Sequence, residues 1–265
     1  MAGALGVAGV PAPGAAGTPG AAAGGVRGGI ASGDAGDTAT RSGDRAVASG
    51  GVRVLPAGPG ALLVELDCGE RAQALHAELL RRRARGELPA VREIVPGART
   101  VLLDGIADRT PGGRSALARA LVSWDIPPLR HGAGDAVEIP VVYDGPDLAD
   151  VADAWGVTAE EVPGIHAGTE FRVAFCGFAP GFGYLTGLPE HLHTPRRATP
   201  RTRVPAGALA LAGPYTGVYP RSSPGGWQII GRMSRQEELW NPAREPAALL
   251  SPGTRVHFVA SEVRS

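Results

Sequence analysis

Beyond residue 51 the chain carries short apolar runs separated by glycine and proline. Between them lie stretches in which apolar residues recur every three or four positions. Runs 52–56 and 61–66 read as two strands, with Ala57-Gly58-Pro59-Gly60 as the hairpin turn between them. Segment 70–85 predicts a helix, because Ala72, Leu75, Leu79 and Leu80 fall on one face and arginines on the other. Runs 91–95 and 100–103 are strands around Pro96-Gly97, and 113–124 is a second helix. The order ββαββα predicts a small α/β sandwich with its helices on one sheet face. A polar segment marked by Pro and Gly, 127–136, is the expected boundary to a second domain.

The second half opens with a strand at 137–143. Segments 147–155 and 158–166 read as short helices, the second opened by Thr158 with Glu161 three residues on. A strand at 171–175 leads into 175–232, where aromatic, proline, glycine and arginine residues alternate too densely for any regular helix. Runs 208–212 and 227–230 fit strands between turns, and 255–260 is a final strand. Many short strands with two helices predict an α+β chain: a small N-terminal α/β sandwich, then a closed or nearly closed β-barrel with helical insertions. The expected division is a Gly/Ala-rich tail at 1–50, an α/β domain at 51–133 and a barrel domain at 134–265.

Composition narrows the chemistry. All 26 basic residues are arginine, so a phosphate-loop lysine and a Schiff-base lysine are both impossible. Formal net charge is zero, which gives no reason to expect nucleic acid or an anionic membrane as partner. Residues 1–50 have few large apolar side chains and are expected to stay disordered. No apolar run approaches the roughly 18 residues of a membrane span, and no secretory leader is recognisable. Cys68 and Cys176 have no metal-binding spacing and are expected to be buried thiols. These features predict a soluble cytoplasmic protein. The run Arg81-Arg82-Arg83 reads as a solvated helix face that complements the helix dipole rather than as a phosphate patch.

Candidate chemistry concentrates in the turn-rich stretch. Arg196, Arg197, Arg201, Arg203 and Arg221 are expected in loops, where guanidinium forks would bind carboxylate or phosphate. The competing reading has them capping loop carbonyls or pairing with surface acids. Pro180-Gly181 and Pro224-Gly225-Gly226 predict tight turns, able to approach a ligand or simply to close barrel corners. Tyr184, Tyr219 and Trp227 are either a pocket wall or core aromatics, and Gln228 could orient a substrate amide. His166 suits a general base, or equally a structural histidine bonded to a loop carbonyl. His191 and His193 share a strand-face spacing but lack a third ligand, so no metal is expected. Asp147, Glu170 and Glu190 have no paired-carboxylate context that singles one out.

The motifs in this stretch form an ordered series. They are Phe-Ala-Pro-Gly-Phe-Gly-Tyr-Leu at 178–185, Thr-Pro-Arg-Arg-Ala-Thr-Pro-Arg at 194–201 and Val-Pro-Ala-Gly at 204–207. Thr-Gly-Val-Tyr-Pro at 216–220 and Ser-Pro-Gly-Gly-Trp-Gln-Ile-Ile-Gly-Arg at 223–232 complete it. The series resembles the KipI-like family, which spans 5-oxoprolinase subunits, a sporulation-kinase inhibitor and the allophanate hydrolase subunit 1 domain. The resemblance runs from about residue 52 to the end. It implies that the barrel is cyclophilin-like and that the chain works with a second, related protein. It further implies the role of the B component in an ATP-dependent 5-oxoprolinase, with the C and A components as partners, opening the 5-oxoproline lactam to glutamate. ATP, with Mg, would be used by the complex and bound largely by a partner. Under that reading His166, Arg201 and Arg221 are the catalytic candidates. Pro180, Gly181, Tyr184, Arg196, Arg197, Arg203, Tyr219, Trp227 and Gln228 are the substrate-binding ones. The alternatives are a regulator that binds and inhibits a sensor histidine kinase, and a member of a urea- or allophanate-processing complex. Cys176 and Gly183 depart from the family pattern, and Cys176 is not expected to be a nucleophile.

Overall fold

The computed structural model describes residues 51–107, 112–129, 136–234 and 239–261; the predicted tail and the boundary expected near 133 lie outside them. β1 (Arg53–Pro56), β2 (Leu62–Glu65), β3 (Glu93–Pro96) and β4 (Thr100–Asp104) form an antiparallel sheet in the order β1-β2-β4-β3. Helices α1 (Gly69–Ala84) and α2 (Gly113–Ser123) cover it. Ala72, Leu75 and Leu79 of α1 and Leu117 and Leu121 of α2 meet Leu62, Val64, Ile94, Val101 and Leu103 in one apolar core. The spacing read from the sequence is the one that buries these residues. The arginine run of α1 is tied down: Arg81 and Arg82 both pair with the buried Glu78, and Arg82 stacks over Trp124 at 3.9 Å.

From residue 137 onward the described residues build a barrel. Its elements are β5 (Val137–Val142), α3 (Leu148–Trp155), α4 (Val162–Ala167), β6 (Phe171–Cys176), β7 (Gly183–Thr186) and a 3-10 turn at Glu190–Leu192. There follow β8 (Arg201–Val204), β9 (Ala208–Ala212), β10 (Tyr215–Val218), β11 (Ser223–Gly225), β12 (Gln228–Met233) and β13 (Arg255–Ala260). Seven strands close in the order β10-β7-β6-β13-β5-β12-β9, with β9 and β10 completing the ring. β13 runs parallel to β5; β8 and β11 pair as a separate antiparallel ribbon. Closure leaves this sheet no free edge. No described helix is long and apolar enough to cross a membrane.

Every residue of β9 is buried, which explains its uninterrupted apolar sequence. Leu209 and Leu211 join the barrel interior with Phe171, Leu185, Ile230 and Phe258. Ala208, Ala210 and Ala212 face the other way, into a second cluster with Phe182, Tyr219, Trp227 and Ile229. Their small side chains leave room for those rings.

Several local expectations change. Arg201 and Arg203 belong to β8 and not to a loop, and Pro224-Gly225 belongs to β11 and not to a turn. A proline is tolerated there because a two-stranded ribbon has an outer edge that needs no donor. β7 and β10 were unexpected, both being short and glycine-bearing. The helix expected at 158–166 begins only at Val162, although the Thr158 amide does donate to Glu161 Oε2 at 2.8 Å. Cys68, expected to be buried, is exposed at the start of α1.

Candidate functional site

The most heavily constrained polar group on the barrel is Asp147, 1% exposed, in the connection from β5 to α3. Arg197 Nη1 and Arg201 Nη2 each donate to its Oδ1 at 2.6 Å, and the Ile229 amide donates to Oδ2 at 2.6 Å. One carboxylate thus ties together the segment before β8, β8 itself and the start of β12. Asp147 sits at the N-terminus of α3 but makes no side-chain cap there; its oxygens are taken by the arginines and β12. Gly145 permits the approach, since a Cβ at that position would overlap the Ile229 carbonyl and the Ile230–Gly231 backbone.

Beside this knot lies a cavity of about 290 Å³. Arg201, Arg203, Arg232 and Asp144 line it, with Gly145 and Gly231 in its wall. Arg203 Nε donates to Ser222 Oγ at 3.1 Å, and Arg232 Nε donates to Asp144 Oδ2 at 2.9 Å. Arg197 Nε and Arg201 Nη1 are buried without a hydrogen-bond partner. Of the five arginines expected to bind anions, the structure therefore gathers Arg197, Arg201 and Arg203. Arg196 and Arg221 remain at the exposed surface. Sequence reasoning had Asp147 among its acidic candidates without singling it out and missed Asp144 and Arg232; the Asp-Gly-Pro-Asp run at 144–147 was a local hint.

His166 is elsewhere and is a correction. It is fully buried, with Nδ1 against the Tyr143 hydroxyl at 2.9 Å and Nε2 against Thr216 Oγ1 at 3.3 Å. Its ring packs on Phe171 and Phe258 inside the barrel. Desolvation lowers its pKa from 6.5 to about 3. Enclosed by protein, with both nitrogens occupied, it cannot reach a water or substrate and is a core histidine rather than a general base. The consequence is measurable. The folded protein keeps His166 neutral while the unfolded chain protonates it below its ordinary pKa, so the unfolded state binds more protons there. The stability it contributes is whole above about pH 6.5 and declines as pH falls toward about 3, by up to about 1.4 kcal/mol per pH unit. Urea unfolding of the protein and of His166→Gln should diverge in slope over that window, the variant being the flatter; equal slopes would refute the assignment.

Tyr219 and Trp227, 2% and 5% exposed, are core aromatics edge-on to Phe182 and are corrected from a pocket wall. Tyr184 is partly buried and stacks on Phe175 with ring centroids 4.3 Å apart. Burial raises the hydroxyl pKa of Tyr184 and Tyr219, and the charge of Arg196 opposes it. Pro180-Gly181 does form the expected turn: Gly181 has φ +82° and the Phe182 amide donates to the Ala179 carbonyl at 3.0 Å. The turn packs on Leu239 and Trp240, which leaves no room for a Cβ at Gly181. Gln228 Nε2 donates to the Pro195 carbonyl at 3.4 Å while its Oε1 is buried without a partner. His193 Nε2 lies 3.2 Å from the Leu188 carbonyl, and His191 is in the 3-10 turn, so the pair shares no strand. No group of three or more potential metal ligands from His, Cys, Asp and Glu occurs among the described residues. Cys176 donates to the Leu250 carbonyl at 2.9 Å, and burial pushes its thiol pKa up to about 11, the opposite of a nucleophile.

Residues 52–250 match the family described as the carboxyltransferase domain, subdomain C and D. The chain belongs to that family. The match covers both the helix-covered sheet and most of the barrel, in keeping with the KipI-like resemblance of its motifs. The B subunit of 5-oxoprolinase from Escherichia coli O157:H7 is 45% identical over 180 residues, which are 65% of this chain and 79% of the relative. Among solved structures, the protein TTHA0988 is 34% identical with a TM-score of 0.60. That alignment covers 80% of this chain but spans only 40% of TTHA0988. The Kluyveromyces lactis urea carboxylase shares the fold of this carboxyltransferase-domain member, with a TM-score of 0.58 at 18% identity, over 80% of this chain and 22% of that one.

Proposed function

We propose that this chain is the B component of an ATP-dependent 5-oxoprolinase, contributing to a site completed by the related C component and by the A component. The observation that carries the reading is the 45% identity to a 5-oxoprolinase B component across 79% of that relative. The likeness to urea carboxylase, at 18% identity, supports the fold and not the reaction. A cytoplasmic location goes with this role.

The chemistry asked of such a complex is hydrolysis of an unreactive lactam. Water adds to the carbonyl carbon, the C–N bond breaks, and the ring nitrogen takes a proton to become the amine of glutamate. ATP would make the carbonyl a better electrophile by phosphorylating its oxygen; water then adds, the C–N bond breaks to leave an acyl phosphate, and a second water releases the phosphate. On this reading the chain leaves the nucleotide largely to a partner. It has no lysine, and the cavity beside Asp147 offers guanidinium groups without a free carboxylate cluster for Mg. What the chain does offer is positive charge at this cavity: Arg201 on β8, held by Asp147, and Arg232 on β12, paired with Asp144. Preorganised cations of this kind hold a substrate anion without reorganising during the reaction.

The test is release of ADP and glutamate, dependent on 5-oxoproline, from the chain alone and mixed with candidate A and C components. Turnover is expected only in the mixture. An assembled mixture that stays silent overturns the reading and turns attention to urea-derived substrates and kinase binding.

A further inference from the structure

The cavity beside Asp147 holds more positive charge than the chain neutralises. Arg197 and Arg201 share a single carboxylate oxygen, and the other oxygen is taken by a neutral backbone amide. Arg203 meets only the hydroxyl of Ser222, and Arg232 meets Asp144. Four guanidinium groups are thus set against two carboxylates, and the surplus cations are Arg203 and one of the pair at Asp147. Of the two arginines on Asp147, Arg201 lines the cavity, and Arg197 Nε and Arg201 Nη1 are buried with no acceptor. Concentrated, imperfectly neutralised guanidinium charge in a concave site is the signature of an oxyanion subsite.

We propose that this cavity binds the carboxylate of a small organic acid. Arg203 and Arg232 grip it from opposite strands, and Arg201 supplies the fixed charge at the floor. Asp147 and Arg197 are positioning residues: they hold Arg201 and make no contact with the ligand. The volume of about 290 Å³ sits at the lower end of small-molecule sites and suits a compact ring acid. The planar guanidinium fork matches a carboxylate edge-on. The Arg232–Asp144 pair is about half exposed on both sides, so it is a weak pair that an incoming anion can displace. On the 5-oxoprolinase reading, the acid is 5-oxoproline itself, and the identity of the ligand rests on that reading while the anion subsite does not.

Calorimetric titration of the full chain tests it with three probes. These are 5-oxoproline, 2-pyrrolidinone (the same lactam without the carboxylate) and inorganic phosphate. Binding of 5-oxoproline alone is expected, weakened at least about tenfold by Arg203→Ala and by Arg232→Ala with thermal midpoints unchanged. Equal binding of 2-pyrrolidinone, tighter binding of phosphate, or unchanged affinity in both variants would each overturn the proposal. In the assembled complex Arg203→Ala should raise KM for 5-oxoproline more than it lowers kcat. An active complex with KM unmoved removes the subsite and leaves the enzyme reading intact. A silent complex whose chain still binds the acid through Arg203 does the reverse.

Discussion

Asp147→Ala is expected to lose about 3–5 kcal/mol of folding stability, because it strands two partly buried guanidinium groups without their counter-charge. The loss has a second source, since the Ile229 amide also surrenders its acceptor and lies in a buried strand. Domains of this size are stable by roughly 5–15 kcal/mol, so the variant should unfold at a much lower urea concentration. Loss of Arg197 alone should be milder, because Arg201 still compensates Asp147. The discriminating comparison is the double variant Asp147→Asn with Arg197→Met. If the carboxylate acts as counter-charge, removing one of the two cations together with it costs less than the separate losses added. Strict additivity, or a loss below about 1 kcal/mol for Asp147→Ala, would mean that the cluster is an ordinary surface ion pair.

Gly145→Ala is expected to be nearly as damaging, by a different route. The new Cβ would overlap the backbone of Ile229, Ile230 and Gly231, and backbone atoms of a barrel strand cannot turn aside as a flexible side chain does. Relief requires moving the β5–α3 connection away from β12. That breaks the bonds from the Gly145 amide to the Ile230 carbonyl and from the Asp147 amide to the Ile229 carbonyl. A loss of about 3 kcal/mol is expected from such overpacking. It should come with weakened anion binding, since the same connection carries Asp144 and Asp147. Gly164→Ala is the control. This glycine is inside α4, with open space where its Cβ would go and no positive φ, so the change should stabilise by about 0.5–1 kcal/mol. Thermal or urea unfolding of the two variants gives the comparison; a harmless Gly145→Ala would show that the connection is not pinned to β12.

The site was only partly legible. Arginines 197, 201 and 203 stood out as a group because five arginines crowd a segment rich in proline and glycine. What they do depended on Asp147, which lies 50 and 54 residues from its two partners. Read locally, Asp147 was an acid near a helix start, a position where such a residue ordinarily caps. His166 shows the same limit. Its place before a strand suited a base, whereas its actual partners, Tyr143 and Thr216, come from segments 23 and 50 residues away. Burial reverses its chemistry, and burial is not a local property.

Elements with strong periodicity, and the family, could be read without any coordinates. The spacing of Ala72, Leu75 and Leu79, the apolar run of β9 and the motif series between 178 and 232 each carry their signal within a few residues. It took the folded barrel to show that β8 and β11 are strands, that Tyr219 and Trp227 are core, and that Arg232 and Asp144 join the arginine-lined cavity. The physical reason is common to all three. Strand pairing, burial and charge compensation are interactions between residues far apart in sequence, and they exist only once the barrel has closed and brought β8, β12 and the β5–α3 connection together.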